Sequence, residues 1–150
     1  MIYYLIASIL IAVAALFART KRAVLAAGIL FYAVQIAAAG LLLWGGLYDT
    51  TSAAFFTFDA LGTLFYLLLV VVSMYVFGHS EAYLQGEDLR SYRLYFALLM
   101  LLTTAIAGAY FANNLAVTWI FLEATTLCSA GIIYHCLLYT SPSPRDRSVS

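Results

Sequence analysis

The sequence predicts an all-α integral membrane protein, a bundle of about five transmembrane helices. Three observations predict it. Hydrophobic residues make up 65% of the 150-residue chain, against roughly 45–50% in soluble domains. Charged residues make up only 9%, against about 25%. The charges also cluster, leaving charge-free runs long enough to cross a bilayer. Seven basic and seven acidic residues cancel, so there is no basic surface for nucleic acid. Disorder is excluded by the high hydrophobicity, and a small soluble domain by the shortage of polar surface.

The runs place the helices. Residues 1–18 carry no charge and end at Arg19, Lys21 and Arg22. Residues 23–48 are charge-free up to Asp49, and residues 60–80 lie between Asp59 and Glu81. Beyond Arg93 the next charges are Glu123 and Arg145, a stretch that fits two spans, with Asn113-Asn114 as the polar break. The expected helices are Ile2–Ala18, Ala23–Leu47, Ala60–Phe77, Tyr92–Phe111 and Leu115–Tyr134. A transmembrane β-barrel requires alternating polarity, and none is visible. The first run is a retained span rather than a signal peptide, because its basic residues follow it instead of preceding it.

Residues 1–136 form the predicted bundle. Residues 137–150 change character: Ser141-Pro142-Ser143-Pro144-Arg145-Asp146-Arg147-Ser148 is polar and proline-containing. This tail reads as a foreign or read-through join and is set aside from functional argument.

Orientation follows from the basic residues. Arg19, Lys21, Arg22, Arg90 and Arg93 all fall in or beside the first and third connections; the second and fourth carry none. Loops 19–22 and 78–91 are therefore expected in the cytoplasm and the N-terminus outside, as a multi-pass protein of the inner (cytoplasmic) membrane. Tyr3, Tyr4, Trp44, Tyr48, Tyr92 and Tyr95 sit where interfacial aromatic belts form.

One charge falls within a span. Glu123 is the ninth residue of the fifth helix, about 12 Å in and near the midplane. An acidic group there costs at least ~2.5–3.5 kcal/mol. A carboxyl that gains and releases a proton at that depth suits a proton relay. Ala116, Trp119, Ile120, Thr126, Leu127 and Ala130 share its face, and their small side chains and hydroxyl favour helix contact over lipid contact. The plainer reading is a neutral Glu hydrogen-bonding between helices.

Other polar positions are secondary. Gln35, mid-span in the second helix, reads as an interhelical hydrogen bond. Asp59 reads as a helix cap, with a place beside a proton route as the lesser alternative. His79 and His135 read as solvated interfacial residues. His135 is about 18 Å along the helix from Glu123 and cannot pair with it directly. No lysine lies in any span. Cys128 and Cys136 read as small buried hydrophobes. No dinucleotide-binding, P-loop or nucleophile-elbow motif occurs, nor a ligand set for haem, iron–sulfur or zinc, so no cofactor or metal is expected and any redox chemistry belongs to a partner.

The segment Tyr110-Phe-Ala-Asn-Asn-Leu-Ala-Val-Thr-Trp-Ile-Phe-Leu-Glu-Ala-Thr-Thr-Leu127 resembles the antiporter-like, proton-translocating membrane subunits of respiratory complex I and membrane-bound hydrogenases, hydrogenase-4 component F above all. Phe58-Asp59-Ala60-Leu61-Gly62 is similar to that family's opening of the third helix, and Tyr83 to Tyr95 with Phe96-Ala-Leu-Leu to its next loop and helix. The resemblance spans residues 1–135. It implies a parent of about fourteen helices in two inverted repeats, of which this chain is an N-terminal fragment. It also implies protons carried along buried Glu, Lys and His residues. Glu123 then matches a glutamate that couples to a lysine on a later helix, Asp59 an acidic position opening the third helix, and Thr126, Gln35 and His135 become secondary candidates. The implied function is proton conduction in a redox-driven complex of the NADH dehydrogenase or hydrogenase-4 type, with other membrane subunits, a peripheral redox arm and the lipid bilayer as partners. Two alternatives stand beside it: a structural or accessory membrane subunit, and a subunit of a multisubunit sodium/proton antiporter.

Overall fold

The computed structural model describes residues 1–45 and 55–140, and among these every regular element is a helix. The five helices are α1 (Ile2–Leu16), α2 (Lys21–Leu43), α3 (Ala60–Tyr83), α4 (Leu89–Phe111) and α5 (Leu115–Thr140), with a short 3-10 turn at Leu84–Gly86. Four of them, α2 to α5, are long and apolar enough to cross a membrane. The first expected span falls short: α1 has 15 residues, or about 22 Å, against a hydrocarbon core of about 30 Å. The side chains of residues 85 and 136–140, Tyr48, Asp49 and most of the polar tail lie outside the described residues.

Helix starts are set by side-chain caps. Thr20 Oγ1 accepts from the Ala23 amide at 3.2 Å, so α2 opens at Lys21, two residues before the expected start. Asp59 Oδ1 accepts from Gly62 N at 3.2 Å and opens α3. Asp88 Oδ2 accepts from Arg90 N and opens α4 at Leu89, three residues early. Asn114 Oδ1 accepts from Ala116 N at 2.9 Å and opens α5 at the expected residue. Each cap satisfies an amide that the helix itself leaves unpaired. At the far end of α2, Gly45 adopts φ +72°, the left-handed conformation in which a helix commonly ends.

Expected ends are corrected in both directions: α1 stops at Leu16 instead of Ala18 and α2 at Leu43 instead of Leu47, while two others run on. α3 runs six residues past Phe77 to Tyr83, because hydropathy marks where apolar character stops, not where backbone hydrogen bonding stops. α5 continues past Tyr134 to Thr140, so the helix crosses the expected boundary at residue 136.

α4 is the most buried helix, and α1, α3 and α5 all lie against it. Aromatic rings fill the interior, with Phe77 at 4.8 Å from Phe96 and 5.2 Å from Tyr32 between ring centres. Glycines admit close approach. Any Cβ on Gly28 meets the tip of the Phe77 ring at 2.1 Å, and one on Gly108 meets Phe121 at 2.3 Å. Between helices whose surroundings are as apolar as their contacts, such close packing supplies the association energy. Outward, Ile6, Leu10, Leu30, Ile36, Leu64, Leu68 and Val71 are all exposed. An apolar exterior of this extent suits acyl chains and not water.

The connections are laced at both ends. At one, Lys21 Nζ donates to the Glu87 carbonyl and stands over the Tyr92 ring, while an Arg93 guanidinium N–H donates to the Ala18 carbonyl at 3.1 Å. At the other, Phe56 and Ala112 form an isolated antiparallel bridge: Thr57 N donates to Phe111 O at 2.8 Å and Asn113 N to Phe55 O at 2.7 Å.

Candidate functional site

Glu123 stands eight residues into α5, within the 21-residue apolar stretch Leu115–His135. Its side chain is exposed. Trp119, one turn earlier, donates its indole N–H to Glu123 Oε1 at 2.9 Å. Thr126 spends its hydroxyl on the Glu123 backbone carbonyl at 2.8 Å, so it supports the helix and leaves the carboxylate alone. Ala116, Trp119, Ile120, Ala124 and Leu127 surround the carboxylate in an open, shallow groove.

The expected face is a real stripe, but it is turned the other way. Trp119 is 64% exposed and Leu127 72%. Of α5 up to His135, only His135 is buried. The contact side of α5 is carried instead by Phe121, which seats on Gly108, and by Gly131, which receives Leu98. Glu123 therefore does not meet α1 to α4. Spacing along a helix tells which residues share a face; it does not tell which face a neighbour takes.

The secondary candidates scatter. Asp59 is the exposed N-cap of α3 at the end of the bundle, also holding the Thr63 hydroxyl on its carbonyl at 2.8 Å. His135 is 6% exposed, a correction to its expected solvation; its ring lies 6.0 Å from that of Tyr95. His79 is exposed on α3, edge-on to Tyr75. Cys128 is half-buried and free, facing a mostly apolar groove with Ile9, Leu101, Thr104 and Phe121; the Cys136 side chain lies outside the described residues. Among the described residues no three His, Cys, Asp or Glu side chains gather in a metal-binding group.

Gln35 makes the interhelical bonds expected of it, and its surroundings hold the feature that sequence reasoning missed. Its Oε1 accepts from the Tyr4 hydroxyl of α1 and from the Tyr66 hydroxyl of α3 at 2.8 Å. Tyr66 is also close enough to share its proton with the Gln35 backbone carbonyl, at 3.2 Å. Gln35 is 0% exposed and Tyr66 1%. Ser8, one turn along α1 from Tyr4, is 0% exposed beside the same phenol. Among the described residues, the Gln35 amide nitrogen and the Ser8 hydroxyl have no hydrogen-bond partner. A buried unpaired group of this kind costs about 1–3 kcal/mol. The signal was present as polar side chains within apolar runs, Ser8 between Leu5 and Leu16 and Tyr66 between Leu64 and Val72. Tyr4, placed by sequence in an interfacial belt, turns inward instead, and Tyr92 is buried; Tyr3 and Trp44 are exposed as a belt requires.

Comparison with family models, with curated proteins and with solved structures gave no match.

Proposed function

We propose that this chain forms part of a proton-conducting membrane subunit of a redox-driven complex, with Glu123 as the group that takes up and releases the proton. The observation that carries the reading is one exposed carboxyl partway along an apolar helix, held by a single indole. Left against acyl chains, that carboxyl costs at least ~2.5–3.5 kcal/mol. Intramembrane acids persist where they face a bundle interior or an aqueous cavity, and there they mark ion pathways. On this reading the Glu123 face meets further helices of the assembly, and a cation or water file there completes the route. The motif from Asn113 to Leu127, similar to the antiporter-like subunits, supports the same assignment. The lacing of the Lys21 and Arg93 connections at one end of the bundle supports a cytoplasmic position for both.

The alternative of a structural membrane subunit rests on the same Trp119–Glu123 bond. Glu123→Gln separates the two, because a glutamine carbonyl still accepts from the indole but carries no exchangeable acid. In the full chain, in its native membrane, we expect normal assembly on a native gel and a loss of proton transport of at least about a hundredfold, the low end of what a positioned acid–base group contributes. Unchanged transport with normal assembly rejects the proton role and leaves the structural one.

A further inference from the structure

We propose that Gln35 is the anchor of a buried hydration site at the junction of α1, α2 and α3, where a water molecule is bound between the Gln35 amide and the Ser8 hydroxyl. This stands apart from the proton reading of Glu123. Both phenols that reach Gln35 converge on one end of its amide. Exchanging the amide oxygen and nitrogen only changes which end is satisfied. In either orientation one end of a fully buried amide has no partner among the described residues, and Ser8, also fully buried, adds a second such group.

The chemistry selects the ligand. It must accept from an N–H and also donate, since Ser8 and the two phenols offer lone pairs. It must be small, because Gln35 and Ser8 are both fully buried; a neighbouring cavity that touches the two phenols, lined also by Met1, Ala38, Leu42, Phe58 and Phe111, has room for only about 10 Å³. Water meets both demands, and a buried water typically makes about three hydrogen bonds. Gln35, Ser8 and Tyr4 supply that number from two helices, and Tyr66 ties the third helix to the same amide.

The chain contains two glutamines, Gln35 and Gln85, so ¹⁵N-glutamine labelling gives two side-chain amide signals. We would record them for the whole protein in lipid nanodiscs, and identify Gln35 by the signal that disappears in Gln35→Met. The expected result is a direct nuclear Overhauser contact between the Gln35 amide protons and a long-lived water, weakened in Ser8→Ala while the contacts to the Tyr4 and Tyr66 rings persist. Amide protons that touch only protein protons overturn the proposal. So does a water contact indifferent to Ser8, which places the water elsewhere. The wild-type measurement decides even if a variant fails to fold.

Discussion

The Trp119 indole N–H donates to the Glu123 carboxylate across one turn of α5, on the side of that helix turned away from α1 to α4. The bond is local, so it survives whatever meets that face, and it fixes one carboxylate oxygen while leaving the other open. Glu123→Ala removes the acceptor and Glu123→Gln keeps it. With Trp44 replaced by Phe, leaving one tryptophan, the indole N–H Raman band is expected at its hydrogen-bonded position in the parent and in Glu123→Gln, and at its free position in Glu123→Ala. An unmoved band in Glu123→Ala rejects the bond.

The Tyr4–Gln35–Tyr66 cluster makes a different forecast. Tyr66→Phe removes one donor, yet leaves Tyr4 on the same oxygen, and is expected to lower stability by about 0.5–1.5 kcal/mol. Gln35→Leu strands two phenols and is expected to cost more, about 1–3 kcal/mol. Unfolding in mild detergent orders the two. Gln35→Leu as stable as the parent contradicts the cluster's role in joining α1, α2 and α3.

Gly28 on α2 receives the tip of the Phe77 ring from α3. A larger residue there collides with the Phe77 ring, which cannot swing aside because Tyr32 and Phe96 flank it. Gly28→Leu is expected to cost about 1–3 kcal/mol by overpacking. Adding Phe77→Ala should return part of that loss, and the double variant being no better than Gly28→Leu alone argues against this contact.

Sidedness is open to chemical labelling. In a background lacking Cys128 and Cys136, single cysteines at Arg22 and at Asn113 mark the two ends of the bundle. A membrane-impermeant maleimide applied to intact cells is expected to label the cysteine at 113, and to reach the one at 22 only after the membrane is opened. The reverse pattern inverts the orientation drawn from the basic residues.

The helices were legible because charge is expensive in a bilayer, so a long run without it marks a span directly. Their ends were less so. α3 passes through His79 and Glu81, residues that close a hydropathy window but not a hydrogen-bonded helix. The cap at Asp59 and the break at Asn113-Asn114 were readable because both are local signals, and the two starts they imply fall where the sequence placed them. Glu123 stood out as the lone acid of an apolar run, and Ala116, Trp119, Ile120 and Leu127, four of the residues expected on its face, line the groove around it. Its direction was not legible, since the choice between two faces of α5 depends on Phe121 fitting Gly108, a contact between helices. Tyr66 was missed for the same reason: its meeting with Gln35 is a matter of register between α2 and α3, which no pattern within either helix reveals.

The bridge between Phe56 and Ala112 ties the segment that leads into α3 to the turn that launches α5. Its consequence is mechanical. α5 leans chiefly on α4 along its length, but its root is clamped to the entry of another helix. A push on the exposed side of α5 is thus resisted at the hinge end and arrives at the start of α3, the stretch that carries Tyr66 one and a half turns farther on. The bridge gives a backbone route from the outer helix to α3, the helix that carries Tyr66 into the polar interior.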